Sequence, residues 1–319
     1  MLSSGGELFV IQIYPVRFSK PVSPRRSEKD SFEDLLISEI EKNGLELNDE
    51  DIIVVTSKVL SLFENRTIER STIRPRKRVK ILAKLFNFDP VILELILQEG
   101  TIMAVLPQKM IAKDPRILNQ QLKLSNNPQA TITALKERFA NLAMVRKFKL
   151  LFDSAGIDTS NTPDGYITLL PENPVKSAIK IRNNLEKRTG KKLAIIITDS
   201  LYSPRRVGSN DICIGCSGIF PIVKNEAKND IYGKPGIGGN DLIIDSIAAF
   251  AGSVMGATDE MTPATIVRGF KYERWNDEEP IENIIYYPAG TKFRGGLLTA
   301  LTTFSFKLLQ WGLFLKGKK

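Results

Sequence analysis

The chain has no histidine in 319 residues. That absence excludes His-centred catalytic triads, HExxH zinc sites and imidazole acid–base chemistry. Cysteine is almost missing too: Cys213 and Cys216, spaced CxxC, are the only two. With no third thiol and no imidazole they cannot complete a zinc site within the chain. No disulfide framework exists, which suits a reducing cytoplasm. A redox pair stays open for these two, beside the plainer reading of small apolar residues buried on a strand and its turn. Long apolar runs are also lacking. No segment supplies the roughly 18 charge-free apolar residues of a spanning helix. The nearest, residues 297–315, is broken by Lys307 and Gln310 and followed by KGKK. The first apolar run has no basic region ahead of it and does not read as a secretory signal.

What remains for chemistry is carboxylates, cations, hydroxyls or a hard metal ion. Hydrophobic residues make up 42%, enough for a large core, as one domain or two intertwined ones. The balance of 45 Lys+Arg against 36 Asp+Glu leaves +9, which suits phosphate-bearing or acidic ligands, a membrane surface or nucleic acid. An excess of lysine is equally a proteome-wide habit. The run Arg74, Arg76, Lys77, Arg78, Lys80, Lys84 has no interleaved aromatics and reads as a solvated helix face, so no nucleic-acid partner is expected. The segment 297–319, with aromatics, a central lysine and a basic end, fits core or dimer packing or an interfacial membrane contact.

Along the chain, residues 9–16 and 51–55 read as strands. SFEDLLISEIEKNG between them reads as a helix with a capping box at Ser31 and Asp34 and a stop at Asn43-Gly44. Residues 76–86 read as helical, and Asp89-Pro90 opens the next helix with an N-cap and a proline at N1. The Gln/Asn-rich stretch 110–146 reads as an insertion with a helix near 131–142. A helix over 175–189 with a Gly190 cap, a buried strand over 194–197, a helix over 241–255 and a strand over 264–267 complete an α+β (mixed α/β) pattern.

Two carboxylates stand out. Asp158 and Asp199 each follow an apolar stretch and precede small hydroxyl residues, as IDTSN and TDS. Carboxylates at strand ends beside hydroxyls suit Mg²⁺ or Mn²⁺ carrying nucleotide phosphates, although Asp and Ser are also ordinary turn and cap formers. The glycine-rich turn PGIGGND over 235–241 lacks the Lys-Ser/Thr of a P-loop and matches no dinucleotide fingerprint, so it reads as a connection.

Six segments taken in order resemble the coenzyme F420-0:L-glutamate ligase family. They are VVTSKVLSLFENR (54–66), SAGIDTSN (154–161), IIITDS (195–200), NDIYGKP (229–235), IDSIAAFAGSVMG (244–256) and ATIVRG (264–269). The resemblance covers roughly residues 9–288 apart from the insertion. It implies one γ-glutamyl ligase-like domain over 1–290 with a C-terminal hydrophobic and basic tail over 291–319, in an intertwined cytoplasmic homodimer. It also implies GTP (or ATP) and Mg²⁺ or Mn²⁺, activation of an acceptor carboxylate as an acyl phosphate, and attack by the amine of L-glutamate. Phosphoryl transfer needs positioning and charge neutralisation rather than imidazole. By resemblance Asp158 and Asp199 fall on catalytic, metal-binding carboxylates, and Ser200 on a metal-binding hydroxyl. Ser57, Lys58, Asn161 and the loop 255–262, with Met255, Gly256 and Thr258, fall on nucleotide contacts.

The chain departs from the family pattern at three places. Leu62 stands where a nucleotide-contacting lysine is usual, Ala257 where a second-metal ligand is usual, and Tyr202-Ser203 where a Gly-Arg pair is common. Asp259 or Glu260 would be a ligand displaced along the chain, and Arg205 or Arg206 a displaced cation. The expected activity is a γ-glutamyl ligase acting on a carboxylate acceptor, F420-0 by family default or a folate-type molecule. The alternative is a member that kept the fold but not turnover and serves as a binding or scaffold protein, with membrane contact through 297–319 a third option.

Overall fold

The β-branched run Ile52-Ile53-Val54-Val55 and the run Ala194-Ile195-Ile196-Ile197 are both wholly buried, so each must be covered on two faces. The computed structural model describes residues 10–24, 30–106, 114–137, 141–202, 207–277 and 279–286. In chain order they form β1 (Gln12–Val16), α1 (Phe32–Lys42), β2 (Ile52–Thr56), α2 (Ser57–Phe63) and β3 (Thr67–Glu69). Next come α3 (Lys77–Leu85), α4 (Pro90–Glu99), β4 (Thr101–Leu106), α5 (Pro115–Lys123), α6 (Pro128–Glu137), β5 (Leu142–Lys147), β6 (Leu150–Asp153) and β7 (Tyr166–Thr168). After these come α7 (Pro174–Thr189), β8 (Ala194–Tyr202), β9 (Ser209–Ser217), β10 (Ile222–Val223), β11 (Asp241–Leu242), α8 (Ile243–Met255) and β12 (Ala264–Arg268). The mixed α+β class expected from the sequence is the observed one.

The main sheet has the order β1-β12-β2-β8-β9. Only β2 and β8 run parallel; the other neighbours are antiparallel. On one face Val16, Ile53, Val55, Ile195, Ile197 and Ile266 pack with Leu36 and Ile40 of α1 and Ile181 and Leu185 of α7. On the other, α8 lies against β8, β9 and β12 and buries Ile244, Ile247, Ala248, Ala251 and Met255. Alternation along the strands thus divides one apolar run between two helical layers.

A second sheet, β4-β5-β6, carries α4 and α3 through Ile96, Ala143 and Val145 and through Val79, Ala83 and Leu93. Lys77, Arg78, Lys80 and Lys84 of α3 are exposed, the solvated face expected of them. The caps read from sequence are present: Ser31 Oγ accepts from Asp34 N–H, Asp89 accepts from Val91 and Ile92, and α7 ends at Gly190. Two expectations need correction. The helix placed near 131–142 is α6, which ends at Glu137, and Leu142 opens β5 because its apolar residues pair between β4 and β6. The strand placed at 194–197 runs on to Tyr202, since its polar half pairs residue for residue with β9.

The chain separates into two compact units, Met1–Asn276 and Asp277–Lys319. In the second, the described part is a short helix, α9 (Ile281–Ile285). The proposed domain boundary at 290/291 and the tail 291–319 lie outside the described residues. Among those residues, no helix is long and apolar enough to cross a membrane.

Candidate active site

Because β2 and β8 are parallel and pair Thr56 with Thr198, both strands lead the chain out at the same edge of the sheet. Ser57 and Lys58 open α2 there, and Asp199 and Ser200 sit on the outer half of β8. β12 runs against β2, so the loop before it reaches this edge as well, with Thr56 N–H donating to the Pro263 carbonyl at 2.9 Å. The crevice beyond the carboxyl ends of parallel strands is where open α/β sheets take ligands. Here it is a cleft of about 760 Å³, lined by Ser57, Lys58, Leu62, Asp153, Asp158, Ser160, Asn161, Asp199, Ser200, Asp211, Met255 and the loop 256–263.

Asp158 is placed by a tight reversal after β6. Ser154, Ala155 and Gly156 all have positive φ, at 47°, 62° and 68°. The chain is then turned so that Asp158 and Thr168 exchange backbone hydrogen bonds of 3.0 and 2.9 Å. Asp158 Oδ1 accepts from Ser160 N–H at 2.7 Å, and Oδ2 accepts from Ser160 Oγ at 2.8 Å and pairs with Lys58 Nζ. Lys58 also donates to the Ser160 carbonyl at 2.6 Å. Burial pushes the Asp158 carboxyl up, but the Lys58 charge and these hydrogen bonds outweigh it and hold the group below the ordinary range. Asn161 adopts φ 47°, a conformation asparagine tolerates, and its Nδ2 donates to the Ala257 carbonyl at 3.4 Å. That contact joins the 154–161 turn to the loop after α8.

Asp199 is differently set. Ser57 Oγ donates to its Oδ1 at 3.0 Å. Burial, reinforced by the neighbouring charge of Asp211, pushes its carboxyl up to about 7 against the pull of the Ser57 hydrogen bond. Asp211 is also raised by burial. No local pattern in the sequence marks Asp211. It lies eleven positions beyond Ser200, and only the β8–β9 register sets it opposite. Burial and the charge of Asp158 raise Asp153, a further carboxyl lining the cleft.

The donor set bears on a cation. Among the described residues no three Asp, Glu or Cys side chains gather as a metal-holding group; Asp158 is drawn to Lys58 instead. Asp199 and Asp211, both raised, with the Ser200 hydroxyl between β8 and β9, still make a pair of carboxylates that a cation would relieve. Mg²⁺ sites commonly use one or two carboxylates and complete their shell with water and substrate phosphate, so these residues fit such an ion.

The loop after α8 turns at Gly256, φ 73°, where a Cβ would lie 2.3 Å from Glu260 Cδ. Glu260 folds back to accept from Thr258 N–H at 2.7 Å and from Thr258 Oγ1 at 3.0 Å, so its carboxylate serves its own loop. Asp259 lines the cleft. Ala257 presents a methyl group there, and Leu62 is buried at the margin, 8% exposed. Tyr202 ends β8, whereas Ser203, Arg205 and Arg206 lie outside the described residues. Cys213 and Cys216 are buried on β9 and are not among the residues lining the cleft. Every other candidate, from Ser57, Lys58, Asp158 and Asn161 to Asp199, Ser200, Met255, Gly256 and Thr258, meets in this one cleft.

The family model described as F420-0:Gamma-glutamyl ligase matches residues 23–269. The chain belongs to this family. Three relatives, each named as a coenzyme F420:L-glutamate ligase, place it as a divergent member. The Methanothermobacter thermautotrophicus protein is 29% identical over 82% of this chain and 91% of its own length. The Methanocaldococcus jannaschii protein is 33% identical over 70% and 77%. The Methanopyrus kandleri protein is 29% identical over 91% and 100%. The matched span contains the cleft lining apart from Phe18, Lys20, Pro21 and Val22, so this member of the ligase family carries its departures at Leu62 and Ala257 inside the matched region.

Proposed function

We propose that this chain is a nucleotide- and divalent-metal-dependent γ-glutamyl ligase that joins L-glutamate to a carboxylate acceptor, F420-0 by family default, with a folate-type acceptor as the variant. The observation that carries this reading is the meeting of a lysine–carboxylate pair, Lys58–Asp158, and two raised carboxyls, Asp199 and Asp211, at the parallel-strand edge of one cleft. In the proposed sequence an acceptor carboxylate oxygen bonds to the terminal phosphorus of GTP or ATP while the bond to the nucleoside diphosphate breaks. The neutral glutamate amine then bonds to the acyl carbon, the bond to the phosphate oxygen breaks so that inorganic phosphate leaves with its electron pair, and the proton lost by the nitrogen passes to that phosphate. A divalent cation, when bound, would neutralise phosphate charge, and Asp199 and Ser200, with Asp158 as the family resemblance implies, are the residues that would hold it. Lys58 would supply a fixed positive charge to the phosphate chain, held in place by Asp158 and the Ser160 carbonyl. Asn161 and the loop at Met255, Gly256 and Thr258 would shape the nucleotide site. The test is incubation of purified protein with GTP or ATP, Mn²⁺, glutamate and each acceptor, following amide product by mass. No product with any acceptor would sink the ligase reading.

Leu62 and Ala257 favour a second reading, a member that kept the fold but lost turnover and serves as a binding or scaffold protein. Neither a buried aliphatic chain nor a methyl group can replace an ammonium or an oxygen ligand. Calorimetry with nucleotide and Mn²⁺ separates the two. Heat of binding that vanishes in Asp199→Ala supports the enzyme site, and no binding by the wild type removes it. The cytoplasmic homodimer belongs to this proposal, as does the C-terminal tail as a membrane-surface contact.

A further inference from the structure

The hydroxyl of Ser200 has a single proton, and the structure commits it. Ser200 Oγ donates to Asp211 Oδ1 at 2.8 Å across the β8–β9 ladder. The space for that carboxylate is itself built. Gly252, inside helix α8, is the residue against which Asp211 lies, and a Cβ at Gly252 would sit 2.5 Å from both Asp211 Cγ and Oδ2. Glycine within a helix is unfavourable relative to alanine, so the helix carries a local weakness at the one point where this side chain needs room.

We infer that Asp211, seated on Gly252, is a positioning residue that makes the Ser200 oxygen an acceptor-only group, suited to a divalent cation and unable to donate to a phosphate oxygen. The inference rests on the proposed nucleotide–metal site and deepens it. A serine oxygen whose proton is taken offers only lone pairs to whatever enters the cleft. The same logic holds on the neighbouring position, where Ser57 Oγ gives its proton to Asp199 Oδ1 at 3.0 Å. These two cleft-lining hydroxyls are each turned from donor into acceptor by a carboxylate that takes the proton. Groups behind a ligand commonly set its affinity through orientation of this kind, with losses of about 10–100-fold on mutation.

The experiment measures Mn²⁺ affinity of the purified full chain by calorimetry and by electron paramagnetic resonance, with amide formation as a separate readout. Asp211→Asn replaces an obligate acceptor by a group that also donates, and is expected to weaken Mn²⁺ binding about tenfold. Gly252→Ala leaves the chemistry of every cleft side chain unchanged but fills the seat and displaces Asp211, and is expected to weaken it to a similar degree. Ser200→Ala removes the oriented oxygen, and adding Asp211→Asn to it is expected to cause no further loss. A merely structural Asp211 would give additive losses. Circular dichroism melts establish that each variant is folded, and Gly252→Ala provides the measurement should Asp211→Asn fail to fold. Affinity within twofold of wild type in Gly252→Ala, additive losses in the double variant, or no Mn²⁺ binding by the wild type would each overturn the inference. Amide product formed normally by Asp211→Asn would overturn it while leaving the ligase reading intact.

Discussion

At the scale of single residues, the arginine of the ATIVRG segment shows how a motif position acquires a physical role. Arg268 closes β12 and reaches Asp51, just before β2, donating through Nε and Nη2 at 2.8 Å each. Asp51 is wholly buried and also accepts from Asn48 N–H at 2.8 Å. The pair pins the end of β12 opposite the end that carries the cleft loop, so its role is to hold the strand rather than touch substrate. Removing one partner of a buried pair leaves an uncompensated charge. Arg268→Ala is therefore expected to lower unfolding free energy by about 3–5 kcal/mol, read from denaturant melts. Nucleotide affinity measured well below the melting temperature should change little. A loss under about 1 kcal/mol would contradict this reading.

At the scale of elements, α3 and α4 are joined by one carboxylate. Glu94 of α4, 3% exposed, accepts from the Arg76 backbone N–H at 2.9 Å, where α3 begins, and from Gln98 Nε2 at 3.1 Å, and it pairs with Arg76 Nε at 2.8 Å. The hydrogen bond from the Arg76 N–H is the largest influence on its carboxyl, and together with Gln98 and the Arg76 charge it outweighs burial and holds the group below 4.5. A depressed carboxyl stabilises the fold at pH above its unfolded value and loses that contribution as pH falls through the folded one. Glu94→Gln is expected to destabilise the protein by about 1–3 kcal/mol at pH 7. The gap between variant and wild type should narrow below pH 4.5. Melting curves at pH 7, 5 and 3.5 check it, and a gap that widens toward acid would refute the assignment.

At the scale of the molecule, ordered apolar surface points to an interface. The segment between β10 and β11 is tightly hydrogen-bonded, with Ala227 N–H to Gly236 O and Gly236 N–H to Lys228 O at 2.9 Å each. It nevertheless holds Ile231, Tyr232 and Ile237 at 91%, 80% and 95% exposure. Among the described residues β4 pairs only with β5 and leaves Met103 and Val105 exposed along an open edge. Such edges and tips are covered in most native proteins, which is the support for the proposed homodimer. Light scattering coupled to size exclusion should give about twice 35.7 kDa. The double variant Ile231→Asp/Ile237→Asp should shift that mass to one chain. A wild-type monomer at micromolar concentration would remove the proposal.

Much of this protein is decided locally. The caps at Ser31, Asp89 and Gly190, the buried β-branched runs of β2 and β8, and the solvated face of α3 arise from side-chain chemistry within a few residues, and are legible in the sequence. So are the segments holding Ser57, Lys58, Asp158, Asn161, Asp199 and Ser200, because strand ends rich in carboxylate and hydroxyl groups are visible as such. The pairings among them are not. Lys58 meets Asp158 across 100 positions and Asp211 reaches Ser200 across 11, and sequence spacing carries no information about sheet register. The polar half of β8 reads as a turn because its residues favour turns, yet pairing with β9 makes it a strand. Propensity is a weak local energy that a ladder of hydrogen bonds overrides. Composition and local pattern determined which groups this chain offers. Only the tertiary structure decided that a lysine neutralises one carboxylate while burial and a second carboxylate, seated on a helix glycine, raise the other.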